Sequence, residues 1–306
     1  MDVQLPVDVA TSQAWARLAH SARWLNHFLP KVGDPAPTSN FVQVNGIYPY
    51  EKASDWHRSY LSAALEHLMI WADMVAPLKF HPEQRVTHTF RPAYTLARAA
   101  IEASSQAVWM TSGGAARECA RRHLALIRWD YEEHRKSVSS AEDKARISQL
   151  DVQLLQRTSG IFAEGELGRP NHFTVLKEAA PVISVDPDDL TGAWRAASGA
   201  AHGKVWPSLA LQHVIPLGEY EPGQERTMRF PDAAKMTGVL ETADKMITYG
   251  VLRHAYFCGA DIPRLMEETR LWLASVVPLR EDADPEVLAH LTRRESGPPG
   301  QGARSS

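Results

Sequence analysis

Arg195, Ser198 and His202 lie within the run Trp194-Arg195-Ala196-Ala197-Ser198-Gly199-Ala200-Ala201-His202-Gly203, with the serine three and the histidine seven positions beyond the arginine. On a helix those offsets turn the three side chains roughly to one side. The residue types suit proton transfer beside a negative charge. A histidine donates or accepts a proton near neutral pH, and an arginine holds a phosphate or a developing oxyanion. Together they suffice for phosphodiester cleavage without a metal. The bland alternative is that Leu190, Trp194, Ala197 and Ala201 anchor the helix while Arg195 and His202 face water. A histidine at a helix C-terminus is then explained by the negative end of the dipole alone.

A second segment, Leu96 to Ala107, carries Arg98 and Glu102 four apart among alanine, isoleucine and serine. A helix of that composition is expected to be buried on most sides, and an unpaired buried ion costs several kcal/mol, so both groups need partners. A mutual i,i+4 pair is worth only a few tenths of a kcal/mol, and basic-before-acidic is the weaker order. That favours partners on another helix, with His202 or Arg195 the candidates. Ala99, Ala103 and Ala107 set opposite Ala197, Gly199 and Ala200 would let the two helices cross closely.

Arg195, six intervening residues and His202 resemble, at its longest spacing, the arginine–histidine signature of the HEPN superfamily, helical proteins of which many are ribonucleases in toxin–antitoxin and phage-defence systems. The Arg-x-x-x-Glu helix, a charged helical hairpin after it and the later Ser198-x-x-x-His202-Gly203 also resemble a set of uncharacterised bacterial helical proteins associated with that superfamily. The likeness spans roughly residues 90–205, with Ala196 where a polar residue commonly follows the family's arginine. It implies a metal-independent ribonuclease with Arg195 and His202 as the catalytic pair and Glu102 in support. Arg98 and Ser198 would complete the site, RNA would be the substrate, and no cofactor or metal is expected. That reading needs Arg195 and His202 partly exposed in a positively charged cleft, with a homodimer interface as the place for it. The competing expectation is a non-catalytic binding or scaffold protein whose Arg/Glu/His cluster is a structural network, saturated by internal partners.

Other candidates are weaker. Glu66-His67, Glu118 with His123, and Asp130 to His134 suggest carboxylate–histidine metal sites, but the chain has no Glu-x-x-His for a di-iron bundle. Phosphate-binding glycine loops, a nucleophile elbow, His-Glu-x-x-His and DNA-binding motifs are missing from the sequence. Arg117, Arg121, Arg122, Arg128 and Arg135 are interleaved with Glu118, Asp130, Glu132 and Glu133, which reads as a self-paired solvated face. The nine tryptophans read as core.

The scaffold that must position these groups reads as helical. The 306 residues are 44% hydrophobic and 23% charged, with 33 basic and 36 acidic side chains and a net charge of −3. That balance is globular and gives no global pull toward nucleic acid or anionic membrane. Cys119 and Cys258 have no paired spacing, which argues against a disulfide framework or thiolate zinc site. The N-terminus has neither a basic nor an apolar signal region, and no eighteen-residue apolar run occurs, so the expected location is cytoplasmic, with no membrane partner.

Apolar periodicity predicts helices over 11–29, 54–77 (capped by Ser54 and Asp55), 92–112, 174–180, 231–258 and 262–277, with a hairpin of long charged helices over 115–138 and 141–162. The helix over 187–202 has the clearest start, an Asp186 cap followed by Pro187 and two acids, and Gly203 ends it. Residues 31–49 read as a loop, and strands over 208–217 and 226–230 as the one β-hairpin. The expected fold is all-α, a single multi-helix bundle of about eight to ten helices with a small β-hairpin near 208–230. Residues 1–50 form an N-terminal helix and loop packed on the core, 51–278 the main helical domain and 279–306 a disordered tail.

Overall fold

The computed structural model describes residues 7–79 and 89–278, and the helices follow in the order α1 (Val9–Phe28), α2 (Asn40–Ile47), α3 (Ala53–Val75), α4 (Phe90–Thr111), α5 (Ala116–Ser137), α6 (Ala141–Thr158), α7 (His172–Ala179), α8 (Pro187–Ala201) and α9 (Val205–Ala210). Strands β1 (Gln212–Glu221) and β2 (Gln224–Pro231) come next, then α10 (Ala233–Cys258) and α11 (Ile262–Val276). The fold is an all-α bundle with one antiparallel hairpin, as expected. The tail over 279–306 and most of the N-terminal segment read for a targeting signal lie outside the described residues. No helix among the described residues is long and apolar enough to cross a membrane.

The alanine- and serine-rich α4 lies at the centre, with thirteen of its 22 residues buried. Small side chains on every face allow it to touch α3, α10, α8, α7 and α5. Helices α3 and α10 pack on α4, and α1 packs on both of them, burying Leu25, Phe28, Leu61, Leu65, Met246 and Ile247 to at most 1% exposure. Each such side chain contributes about 1.5–3 kcal/mol of transfer free energy.

The α5–α6 pair is the expected antiparallel hairpin, and three of its arginines pair within α5, while Arg117 reaches Glu166 beyond the hairpin at 2.9 Å. Arg121 and Arg122 converge on Glu118 (2.6 and 2.9 Å), and Arg135 on Glu132 (2.9 Å). Hydrogen bonds from Arg121, then Arg122, hold the Glu118 carboxyl down at about 2. Arg128 departs from a solvated face: it is buried, ion-paired to Asp151 on α6 at 2.7 Å, and donates to the Leu167 carbonyl at 2.8 Å.

Three local expectations need correction. Residues 31–49 are not all loop: α2 forms there because Phe41 and Val44, one turn apart, both dock in the core. Ser54 and Asp55 do not cap α3, whose first residue is Ala53; the Ser54 hydroxyl instead donates to Asp55 and accepts from the Asn45 amide at 3.0 Å. Residues 208–210 belong to α9, β1 runs to Glu221, four residues beyond its expected end, and β2 starts at Gln224, two residues before its expected start.

Candidate functional site

Helix α8 begins and ends as its sequence dictates. The Asp186 carboxylate accepts from the backbone N–H groups of Asp188 (2.8 Å) and Asp189 (3.2 Å), with Pro187 at the first position. At the other end Gly203 takes φ +69°, the left-handed conformation that glycine adopts without strain. The Gly203 N–H then reaches the Ala200 carbonyl (3.2 Å) and the Lys204 N–H the Gly199 carbonyl (2.9 Å), the paired bonds of a Schellman stop. His202 is the capping residue of that turn, exposed at the helix end, and its own N–H donates to the Ser198 carbonyl at 3.0 Å.

The reversal swings α9 back over α8. A β-carbon on Gly199 would lie 2.7 Å from Pro207 and 3.2 Å from the Trp206 ring. Gly199 therefore serves α9 and not the crossing with α4. Helix α8 lies against α4, and its Ala197 and Ala200 are buried.

Across that α4–α8 contact three of the expected site residues meet. The Arg98 Nε donates to Glu102 Oε1 at 2.8 Å, and the Trp194 indole Nε1 donates to the same oxygen at 2.7 Å. Arg98 Nη1 stands 3.2 Å from His202 Nε2. A guanidinium only donates, so His202 Nε2 is the acceptor of this bond and the ring N–H is on Nδ1. The intrahelical pair and the cross-helix partners, weighed as alternatives from the sequence, both exist on one arginine. Arg98 and Glu102 keep 23% and 16% of their side-chain exposure, so the cluster is lined by protein on one side and open at His202.

Arg195 goes elsewhere. Its guanidinium carbon sits 4.9 Å from the centre of the Phe173 ring on α7, which Lys177 also approaches at 5.0 Å. Seven residues of helix are about 10 Å of rise, so sharing a side does not bring Arg195 to His202. Arg98, from the neighbouring helix, is the arginine beside the histidine. Ser198 is half-buried one turn before His202 and meets it through the backbone.

Two features escaped the sequence reading. Trp194 acts at the site through its indole N–H, which a half-buried tryptophan must satisfy somewhere; the acid on the facing helix was the available signal. Trp206, read as core, is 49% exposed.

A second polar cluster is sealed in the core. His57 and His254 face one another Nδ1 to Nδ1 at 3.2 Å, Cys258 Sγ lies 3.6 Å from His254 Nε2, and Thr111 Oγ1 lies 3.4 Å from His57 Nε2. One proton order satisfies the chain: the thiol donates to His254, His254 to His57, His57 to the threonine hydroxyl, and that hydroxyl to the Ala107 carbonyl at 3.2 Å. Burial is the first cause that drives His57 well below the ordinary 6.5 and His254 to about 3, and it pushes the Cys258 thiol up to about 11. The chain is neutral and inaccessible, a structural element and not a reactive one. Glu118 and His123 do not meet as ligands either; the buried His123 ring instead donates from Nε2 to the Glu51 carbonyl at 2.8 Å. Among the described residues no group of three or more His, Cys, Asp or Glu is placed to hold a metal ion.

No family model, no curated protein and no solved structure matches this chain.

Proposed function

We propose that Arg98, Glu102 and His202 form the active site of a metal-independent ribonuclease, with Arg98 filling the role that the sequence pattern assigns to Arg195. The observation that carries this reading is the 3.2 Å contact between Arg98 Nη1 and the exposed ring of His202. A bound phosphodiester would draw the guanidinium N–H groups onto its oxygens and release His202 Nε2. That nitrogen then takes the proton of the ribose 2′-hydroxyl as the 2′-oxygen bonds to phosphorus. The 5′-oxygen leaves and receives a proton from His202 in turn, giving a 2′,3′-cyclic phosphate and a 5′-hydroxyl. Arg98, oriented by Glu102, offsets charge on the phosphorane. The resemblance to HEPN proteins supports the reaction class.

A second reading has its own observation. Arg98 to His202 and Trp194 to Glu102 are bonds closed within the chain, which suits a non-catalytic scaffold whose polar network ties α4 to α8. Purified protein incubated with single-stranded RNA in EDTA separates the two. The catalytic reading expects cleavage that falls by about 100-fold or more in His202→Ala and in Arg98→Lys, since an ammonium cannot present the planar fork. Arg195→Ala should retain activity. Cleavage at an unchanged rate in His202→Ala removes the catalytic reading.

A further inference from the structure

The turn that ends α8 also sets an aromatic ring beside its last residues. Gly203 reverses the chain, the Lys204 N–H bonds back to the Gly199 carbonyl at 2.9 Å, and α9 starts at Val205. Pro207 is buried, and with Trp206 it covers Gly199. The Trp206 ring carbons Cζ2 and Cε2 would lie 3.2 and 3.3 Å from a β-carbon at that position. The missing side chain thus gives one edge of the indole a seat on the α8 backbone. Residues three apart on a helix are neighbours, with about 5–6 Å between β-carbons, so this seat adjoins His202. At 3.6 residues per turn His202 lies about 60° round the helix from Gly199 and about 80° from Trp194, between the two. Trp194 faces α4, where it bonds Glu102. The histidine is therefore flanked by Arg98 and α4 on one side and by Trp206 on the other. Trp15, Trp71 and Trp109 are packed to at most 4% exposure, whereas Trp206 keeps 49%. The surrounding chain is locally basic: Leu190 to Gly218 contains Arg195 and Lys204 and no aspartate or glutamate, and Lys204 is exposed.

We propose that Trp206 is a base-stacking platform, a subsite for one nucleobase of single-stranded RNA next to the phosphodiester held at Arg98 and His202, with Lys204 against the backbone phosphate. The proposal rests on the ribonuclease reading for the identity of the polyanion and adds to it where the neighbouring nucleotide lies. An indole offers a rigid π surface, and every base has a face to lay on it, so the stack tolerates sequence. Bases inside a duplex are already stacked on one another, so the platform selects single strands. A protein partner docking on α9 would use Val205 and Leu209, exposed on the same short helix, as much as Trp206. A base uses the ring alone, and the cation and histidine beside the ring suit a polyanion.

Binding of a fluorescein-labelled 2′-O-methyl oligoadenylate to the full chain in EDTA, read by fluorescence anisotropy, is the test. The methyl group blocks the attacking 2′-oxygen, so the oligomer is bound and not cut. Trp206→Leu should raise Kd by about tenfold or more, the scale of one lost base stack, with helical circular dichroism unchanged. Trp206→Phe keeps a ring and should raise Kd by less than about threefold. An abasic sugar–phosphate oligomer of equal length should bind wild type and Trp206→Leu alike. An unchanged Kd for the oligoadenylate in Trp206→Leu overturns the subsite and leaves the Arg98–His202 chemistry standing. An equal loss on the abasic oligomer overturns it too, because the residue then acts through the fold and not on a base. A wild-type chain that binds no oligoadenylate at about 100 µM overturns the subsite and the ribonuclease reading together. Binding that depends on Trp206, by a chain that leaves unmodified RNA uncut, supports the subsite and counts against the catalytic reading alone.

Discussion

Replacing Glu102 by alanine removes one oxygen that serves two donors, Arg98 Nε at 2.8 Å and Trp194 Nε1 at 2.7 Å. With Arg98 only 23% exposed, neither donor regains full hydration when its acceptor is gone. An orphaned donor costs about 1–3 kcal/mol when buried, and the partial exposure places each of these near the lower end. Loss of the ion pair itself adds at most about 1 kcal/mol. The sum is about 2–3 kcal/mol, or about 4–10 °C in Tm for a domain of this size. Glu102→Gln keeps an acceptor and loses only the charge, so about 1 kcal/mol is expected. Urea unfolding followed by far-ultraviolet circular dichroism reads both variants, and equal m-values confirm that the midpoints compare like with like. A double-mutant cycle with Trp194→Phe should return a coupling of about 1 kcal/mol. A Glu102→Ala loss below about 0.5 kcal/mol, within surface-substitution scatter, refutes the carboxylate as the tie between α4 and α8.

Acid should weaken the fold before its carboxylates titrate. His57, His123 and His254 are held neutral by burial, with His123 at about 4 and His254 at about 3. The unfolded chain takes up those protons below pH 6.5 and the folded chain does not, so each ring removes about 1.4 kcal/mol per pH unit down to its folded pKa. From pH 7 to 5 that is about 2 kcal/mol per ring and about 6 in all, offset in part by Asp130 and Asp244, whose carboxyls burial pushes up. Urea midpoints at the two pH values measure it, and a difference under about 1 kcal/mol contradicts neutral buried rings. Gly203→Ala should cost about 1–2 kcal/mol, since the alanine must take φ +69° to keep the Schellman bonds; a neutral substitution would mean that the turn is not needed to place His202.

Local chemistry made much of this legible in the sequence. Asp186, Pro187 and Gly203 mark the ends of α8 through caps that act within a few residues. The need of Arg98 and Glu102 for partners followed from burial cost, and His202 was one of the two groups named. What one helix could not reveal was the surface it meets. Arg195 shares a side with His202, yet Phe173 on α7 draws its guanidinium away, a tertiary choice between a ring and a solvated site. Gly199 looked like a contact for α4 until the turn at Gly203 brought Pro207 and Trp206 over it. Val205-Trp206-Pro207 follows a helix stop and precedes a strand, so α9 had too few residues to show a period. For α2 the period was present, but Gly46 and two asparagines in so short a stretch pointed to a loop.

The catalytic claim is tested most directly by one measurement: the rate at which wild type and His202→Ala cleave single-stranded RNA in EDTA, with Arg98→Lys and Arg195→Ala alongside. Cleavage to 2′,3′-cyclic phosphate ends is expected from wild type and Arg195→Ala, with a loss of about 100-fold or more in His202→Ala and Arg98→Lys at unchanged helical content. Equal rates in wild type and His202→Ala, or a loss confined to Arg195→Ala, would contradict an active site built on Arg98, Glu102 and His202.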